Sequence, residues 1–144
     1  MEILGLDDYL KKMSKIEKIT EDKVFLKQLA SSINSKFKEN ISKGLDADRV
    51  DFKPLSEHTK NKKGRGGESS IPLNDKGFLL GGMHEMITSS GLRFINQMDY
   101  ALYHQEGKGN LPMRKIYPTE ITDYIIDDFE KALDYHINKI LKGV

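Results

Sequence analysis

Glycine and basic residues between Leu55 and Gly77 form the stretch of this sequence most similar to a phosphate-binding loop. Gly64-Arg65-Gly66-Gly67 follows three lysines within a few positions. A P-loop needs the pattern G-x-x-x-x-G-K-[ST] between a strand and a helix, because backbone N–H groups and the lysine must converge on phosphate. Here Gly67 is followed by Glu68, and no helical pattern follows. The sequence therefore predicts a flexible, solvated connector over residues 56–71.

The same connector carries a local basic run, formed by Lys60, Lys62, Lys63 and Arg65. Four contacts with nucleic-acid phosphates would lose about 150-fold in affinity between 50 and 200 mM salt. One such run binds weakly and without sequence preference, whereas several copies in a ring bind better by multivalency. A solvated loop whose lysines serve solubility accounts for the same residues. A small nucleic-acid-binding module that uses residues 60–65 is therefore the alternative hypothesis.

Histidines and carboxylates do not form a recognisable catalytic or metal-binding pattern. His104-Gln105-Glu106 matches half of a zinc-deaminase signature, but the other half needs two cysteines and the chain has none. His84-Glu85 lacks the second histidine of H-E-x-x-H, because position 88 is threonine. No serine lies in a G-x-S-x-G pattern. We expect a non-enzyme without metal or cofactor, in which His104 is a hydrogen-bonded packing residue.

Composition limits the class of protein further. The chain has 144 residues, a length typical of one domain, and its 23 basic and 22 acidic residues leave a net charge of only +1. No overall field therefore attracts nucleic acid or a membrane. No apolar run reaches the roughly 18 residues of a membrane span, and acids occupy the start of the chain where a signal peptide needs basic residues. We expect one soluble domain with no membrane partner.

Periodic apolar residues predict three helices. A short amphipathic helix is expected over residues 7–18, and a longer one over 21–43, with Thr20 as its N-cap and Gly44 just past its end. The last helix begins after Thr119 or Thr122, with acids early and lysines late, as the helix dipole favours. Its predicted apolar face consists of Ile121, Ile125, Phe129, Leu133, Ile137 and Leu141.

Between these helices the pattern changes to strands and turns. Residues 49–55 are expected to form an edge strand or an extended arm, because Pro54 cannot donate to a sheet. A helical turn is predicted within 72–83, a β-hairpin over 84–97 and a short helix over 99–107 ending at Gly107, followed by a loop and a strand over 108–118. The predicted fold class is α+β: a small antiparallel sheet with a β-hairpin, packed by long N-terminal and C-terminal helices.

Five stretches in this order resemble the phage virion-morphogenesis family, whose members act in tail completion or head–tail joining. They are FKPLSEHT (52–59), the basic glycine-rich connector, IPLNDKGFL (71–79), DYALYHQEG (99–107) and LPMRKIYP (111–118). Each is weak alone, but five in order are fairly specific, and the resemblance as a whole covers about residues 45–142. The positions that match the family pattern are Pro54, Leu55, Ser56, Thr59, Pro72, Leu73, Asp75, Gly77, Leu79, Tyr100, Ala101, His104, Gln105, Gly107, Pro112 and Arg114.

The resemblance implies a structural virion protein, with residues 1–144 as a single tail-completion-like domain. It implies a homo-oligomeric ring, a hexamer being one size that it suggests, with phage neck or connector and tail-tube proteins as partners. The location implied is the virion tail or neck, after assembly in the host cytoplasm. The basic connector would be an assembly contact.

The resemblance also implies roles for single residues. Tyr100, His104 and Gln105 would fix a buried turn beside the sheet. Pro112 and Arg114 would set the approach to the last strand, and Arg114 would be available to pair with a carboxylate of this or a neighbouring subunit.

Overall fold

The computed structural model describes residues 5–59, 61, 72–73 and 77–143. Helices near both ends of the chain flank a two-stranded antiparallel sheet, so the predicted α+β class is confirmed. Besides a 3-10 turn at Ile19–Glu21, the elements are α1 (Leu6–Glu17), α2 (Lys23–Ser42), α3 (Phe78–Gly81), β1 (Met83–Thr88), β2 (Gly91–Asn96), α4 (Ala101–Glu106) and α5 (Asp123–Lys142).

Helix α2 begins at Asp22 rather than at the predicted cap. The Asp22 Oδ1 atom accepts hydrogen bonds from the backbone N–H groups of Val24 (2.8 Å) and Phe25 (2.9 Å). Thr20 is wrong as the N-cap, because it lies inside the 3-10 turn, which places Asp22 two residues later at the positive end of the helix.

The other end of α2 confirms Gly44 as the residue that follows the helix. Gly44 has a φ of +76°, and its N–H donates to the Ile41 carbonyl over 3.0 Å. The Leu45 N–H donates to the Asn40 carbonyl over 2.9 Å. This pair of bonds is a Schellman motif, which supplies donors to the last helix carbonyls.

The core is built on one face of α2. Its buried residues recur at steps of three and four, and Phe37 lies where the other elements meet. The Phe37 ring makes edge contacts with the rings of Phe94 on β2 (5.2 Å), Tyr117 (5.5 Å) and Tyr124 on α5 (6.4 Å). The hairpin packs mainly on α2, and so does α5.

The predicted hairpin is confirmed. Its strands pair from Met83 with Asn96 to Thr88 with Gly91, across a two-residue turn. Side chains alternate between the two faces of the sheet. Met83 is fully buried on the face toward α2, and Glu85 on the same face accepts a 2.7 Å hydrogen bond from Asn34 Nδ2.

Helix α5 packs only part of its predicted apolar face on the core: Ile125, Leu133 and Ile137 lie against it, partly buried. Tyr124, Asp128 and His136 are buried, whereas Ile121 is 76% exposed and Leu141 is also exposed. The buried polar groups all have partners: Tyr124 OH donates to the Ala47 carbonyl (2.8 Å), Asp128 accepts from Ser32 Oγ (3.0 Å), and His136 Nε2 lies 2.6 Å from Gln28 Oε1. These contacts rotate α5 so that part of its apolar face stays outside the core.

Two of the predicted strands are absent from the described residues. The segment 49–55 makes one isolated bridge, between Leu45 and Asp51, and continues as an extended arm, which was the second of the two predicted forms. The strand predicted within 108–118 is wrong. The backbone groups of Ile116 and Tyr117 in that segment form hydrogen bonds with the Gln105 side chain instead of with a neighbouring strand.

Candidate functional site

Three of the family-like motifs meet at one place. We call it the motif junction, and it consists of segments 53–56, 100–107 and 112–117. Arg114, only 5% exposed, lies at its centre. Its Nε and Nη2 atoms donate to the Lys53 carbonyl over 3.2 and 2.9 Å, and Nη2 also lies 3.3 Å from the Pro54 carbonyl oxygen. The guanidinium therefore holds the extended arm by its backbone.

Arg114 does not pair with a carboxylate within the described part of the chain, and a pair with a neighbouring subunit stays a prediction. Its partners there are the carbonyl oxygens of the arm. Burial lowers the pKa of Arg114 from its ordinary value. A buried guanidinium is tolerated only when it is hydrogen-bonded, so the two carbonyl groups and Arg114 depend on one another.

Gln105 connects α4 to the segment that follows it. Its Oε1 atom accepts hydrogen bonds from the backbone N–H groups of Ile116 (2.7 Å) and Tyr117 (3.0 Å), and its Nε2 atom donates to the Tyr117 carbonyl (2.8 Å). Tyr117 OH then donates to the Ile95 carbonyl on β2 over 2.8 Å. Burial raises the pKa of Tyr117 to about 12. The predicted role of Gln105 in fixing a turn beside the sheet agrees with these contacts.

His104 is a packing residue, but its ring is not fully hydrogen-bonded as expected. The Nδ1 atom is buried without a hydrogen-bond partner, and the ring meets Tyr100 edge-on at 6.3 Å. Its carbonyl accepts from the Arg114 N–H over 2.8 Å. Burial, and then the charge of Arg114, lower the pKa of His104, so the neutral form is favoured. Tyr100 itself is exposed rather than part of a buried turn.

Gly107 is required where α4 ends. Its φ is +66°, and a Cβ atom added there would lie 2.9 Å from Met113 N and 3.1 Å from Met113 Cα. Any larger residue would push away the backbone next to Pro112 and Arg114. The glycine therefore lets the third motif approach the end of the second.

The P-L-S-x-x-T motif turns the arm into a helical segment. Residues 57–59 are helical, and Ser56 Oγ accepts from the Thr59 N–H over 3.3 Å and lies 2.9 Å from Thr59 Oγ1. A serine that accepts from an N–H three residues later is a typical helix cap. Pro54 precedes it in the extended arm, and Leu55 is half-buried.

The P-L-N-D-K-G motif leads into the core at the other end of the connector. Leu73, at a φ of +63°, packs against the core, and Pro72 is half-buried. Gly77, at a φ of +80°, precedes α3, whose Leu79 is buried. The helical turn predicted within 72–83 is thereby confirmed.

The basic residues of the connector lie outside the described residues, as does Asp75. The assembly and nucleic-acid roles of Lys60, Lys62, Lys63 and Arg65 therefore stay predictions.

Two tyrosines that connect distant segments of the fold were not predicted from the sequence. Tyr117 joins Gln105, β2 and Phe37, and Tyr124 fixes the turn after α2 through the Ala47 carbonyl, with the Arg49 guanidinium 4.2 Å from its ring centre. No local pattern marks either residue, because their partners are far away in sequence.

The described residues were compared with the geometry of metal sites and of membrane-spanning helices. None of the His, Asp and Glu side chains in 5–59, 61, 72–73 and 77–143 gather in threes at metal-binding geometry. No helix within those ranges combines the length and apolarity needed to cross a bilayer. The polar groups of the motif junction mainly bind backbone atoms, so this arrangement shapes the fold.

Comparisons with known proteins give no independent relative. No protein-family model matches this chain, and neither the curated proteins nor the solved structures give a match. The family resemblance therefore rests on the order of the motifs and enters only as a proposal.

Proposed function

We propose that this chain is a structural protein of a phage or prophage virion, acting in tail completion or head–tail joining as a subunit of a ring. The observation that carries the proposal is that three of the motifs behind the resemblance contact one another in the motif junction. Arg114 of P-x-R holds the P-L-S arm, and Gln105 and Gly107 of the H-Q-x-G motif hold the segment around Arg114.

The way these residues are used supports a scaffold role. Arg114 and Gln105 direct their hydrogen bonds at backbone atoms, and Gly107 provides room for a close backbone approach. Motifs of this kind define a shape that must be repeated in every copy of an assembly. An enzyme family would instead be expected to share groups that converge on a substrate.

The exposed apolar surface supports assembly in a larger particle. Large apolar side chains such as Ile121, Phe78 and Tyr135 are more than half exposed. Covering such side chains with a partner removes apolar surface from water, which favours association. Phage neck, connector and tail-tube proteins and further copies of this chain are the partners that the proposal implies.

The ends of the basic connector are both held by the fold. Arg114 binds the arm before it, and Leu73 and Leu79 pack against the core after it. Fixed ends lower the entropic cost of ordering a connector on a neighbouring subunit. We propose that residues 60–70 become ordered on such a neighbour.

Deleting this chain from the phage genome that encodes it tests the proposal. We expect heads and tails that fail to join or tails with abnormal ends, seen by negative-stain microscopy, and a tagged copy at the neck or tail end of complemented particles. Complementation with the Lys131→Ala variant, changed at an exposed site on α5, should restore normal particles. Normal infectious particles in the absence of the chain would contradict the proposal.

A nucleic-acid-binding module is the alternative function. It rests on Lys60, Lys62, Lys63 and Arg65, and the near-zero net charge of the chain weighs against it.

A further inference from the structure

The exposed charges of α5 are divided between its two ends. Asp123, Asp127, Glu130 and Asp134 recur at steps of four, three and four, which places them along one side of the helix. All four are exposed, and none forms an ion pair within the described residues. We call this surface the acidic stripe. Ile126 on this part of α5 is 43% exposed, and Ile121, just before the helix, is 76% exposed.

The helix dipole does not account for the whole acidic stripe. Its effect is confined to about the first turn of a helix, and Asp127, Glu130 and Asp134 lie beyond it. Like charges four positions apart destabilise a helix, and Asp123 with Asp127 and Glu130 with Asp134 form two such pairs. A cationic partner would relieve both repulsions.

The opposite end of α5 is lined with lysines. Lys11, Lys12 and Lys15 of α1 line one open cleft beside Ile140 and Gly143. Lys15, Lys18 and Lys139 line a second cleft of about 700 Å³ between α1 and α5. We call these lysines and the two clefts the basic cleft.

The lysines of the basic cleft also repel one another. Lys11 and Lys15 lie four positions apart, and Lys15 and Lys18 three apart. Only Lys12 has an ion-pair partner within the described residues, Asp8 at 3.0 Å. Glu21 and Asp22 also line the second cleft, and the Asp22 carboxylate is engaged as the cap of α2.

The contact between α1 and the rest of the chain is loose. None of the α1 residues is buried, and Leu6 and Leu10 are 41% and 54% exposed. Helices of 12 residues are marginal in water without packing against another element. The end of the molecule that carries the basic cleft therefore offers apolar as well as basic groups to a partner.

We propose that the acidic stripe of one copy docks on the basic cleft of a second copy of this chain. The acidic stripe runs from Asp123 to Asp134, the residues of α5 that line the basic cleft begin at His136, and no ion pair joins the two surfaces within the described residues. The charge complementarity is between different surfaces, which makes the contact heterologous. Such contacts close into rings or continue as filaments.

This contact deepens the ring proposed above, and so rests on it in part. It still makes its own prediction for the purified chain, because self-association needs no other virion component. We expect sedimentation velocity and native mass spectrometry at 50 mM salt to show oligomers that grow with protein concentration. Raising the salt to 500 mM should weaken them, since exposed charges are screened.

Two sets of neutral substitutions separate the two surfaces. The first is Lys11→Gln with Lys15→Gln and Lys18→Gln, and the second is Asp127→Asn with Glu130→Gln and Asp134→Asn. Each set should lower the association constant at least tenfold, because charged rim contacts are lost. The control set Lys23→Gln with Lys27→Gln and Lys43→Gln removes equal charge at exposed sites elsewhere and should assemble like the wild type.

Mixing the two variants tests the heterologous geometry. Each variant keeps one intact surface, so an equimolar mixture should form a 1:1 dimer and nothing larger. Circular dichroism should show that both variants fold, and the Asp127→Asn set should melt no lower than the wild type, because it removes like-charge pairs.

Several outcomes would overturn the proposed contact. They are a monomeric wild type at all concentrations, oligomers insensitive to salt or to either triple variant, and variants that do not form the mixed dimer. Binding of duplex DNA or anionic lipid vesicles through Lys11, Lys15 and Lys18 by a monomeric wild type would assign the cleft to another partner. If the chain still localised to virions in these cases, the virion role would stand without this contact.

Discussion

At the residue scale, the motif junction depends on backbone geometry more than on charge. Arg114 and Gln105 bind peptide groups, and Gly107 is needed because the Met113 backbone passes where a side chain would begin. These residues therefore act by fixing the path of two irregular segments. Substitutions there should affect stability before they affect any contact with a partner.

Replacing Gly107 by alanine should destabilise the fold more than the same change at Gly109. Both residues have a φ of +66°, so each alanine costs about 1–2 kcal/mol of backbone strain. Only at Gly107 does the new Cβ meet backbone, at 2.9 Å from Met113 N, whereas nothing lies within 4 Å at Gly109. Urea denaturation should give the larger loss for Gly107→Ala, and equal losses would contradict the close approach.

Protonation of His104 should weaken the fold in acid. Its pKa in the folded protein is below its ordinary value, because of burial and of Arg114. Below pH 6.5 the unfolded chain therefore binds more protons at this site, and the unfolding free energy falls until pH passes the folded pKa. The His104→Asn variant should lose less stability than the wild type between pH 7.5 and 5.0.

The exposed residue His58 provides a control for this pH effect. The His58→Asn variant should retain the wild-type pH dependence of the urea midpoint. A His104→Asn variant with the full wild-type dependence would show that other groups cause the acid sensitivity.

At the element scale, caps and tethers determine where each segment begins and ends. Asp22 sets the start of α2, Gly44 its end, and Arg114 the position of the arm that follows. The segment 108–118 lacks strand pairing because Gln105 already satisfies its backbone groups. Each of these controls acts on a whole element through one residue.

The N-cap of α2 can be identified by alanine substitution. Asp22→Ala should lower the unfolding free energy by about 1 kcal/mol, because two N–H groups lose their acceptor. Thr20→Ala should change it by less than about 0.5 kcal/mol, as is usual for surface sites. Thermal or urea denaturation of both variants distinguishes them. A larger effect at Thr20 would show that Thr20, the residue predicted from the sequence, is the N-cap.

The arm before the connector should be released when Arg114 is removed. Arg114→Met keeps the length of the side chain but leaves the Lys53 and Pro54 carbonyls without their donor, which should cost about 1–3 kcal/mol. Hydrogen exchange and limited proteolysis should increase near residues 53–59. Arg93→Met, at an exposed site on β2, should change neither, and an unaltered arm in Arg114→Met would disprove the tether.

At the scale of the whole molecule, the surface is divided into regions of different chemistry. Large apolar groups, the acidic stripe and the basic cleft lie outside a core centred on Phe37. A net charge near zero gives such a molecule no general attraction to polyanions. Partners are therefore expected to recognise local patches.

Binding to DNA through the connector would be weak and sensitive to salt. If Lys60, Lys62, Lys63 and Arg65 each contact a phosphate, affinity should fall about 150-fold between 50 and 200 mM salt. Fluorescence anisotropy of wild type and of a variant with all four residues changed to serine measures this. No binding at 50 mM salt, or equal binding by both proteins, would rule out the alternative function.

The sequence by itself determined the elements whose signals are local. The long helices, the hairpin and the short helix before Gly107 follow from apolar periodicity, caps and turn residues within a few positions of each other. Gly44 and Gly107 were identifiable because only glycine readily takes a positive φ where a helix ends. The motifs also indicated which irregular segments matter, though not what they touch.

Only the tertiary structure decided which faces and segments pack together. Hydrogen bonds with Ser32, Gln28 and Ala47 determine which face of α5 is buried, and these three residues are far from α5 in the sequence. The hydrogen bond from Arg114 to the Lys53 carbonyl joins residues 61 positions apart. Contacts of this kind depend on the geometry of the whole chain, because each buried polar group must find its partner after the core has formed.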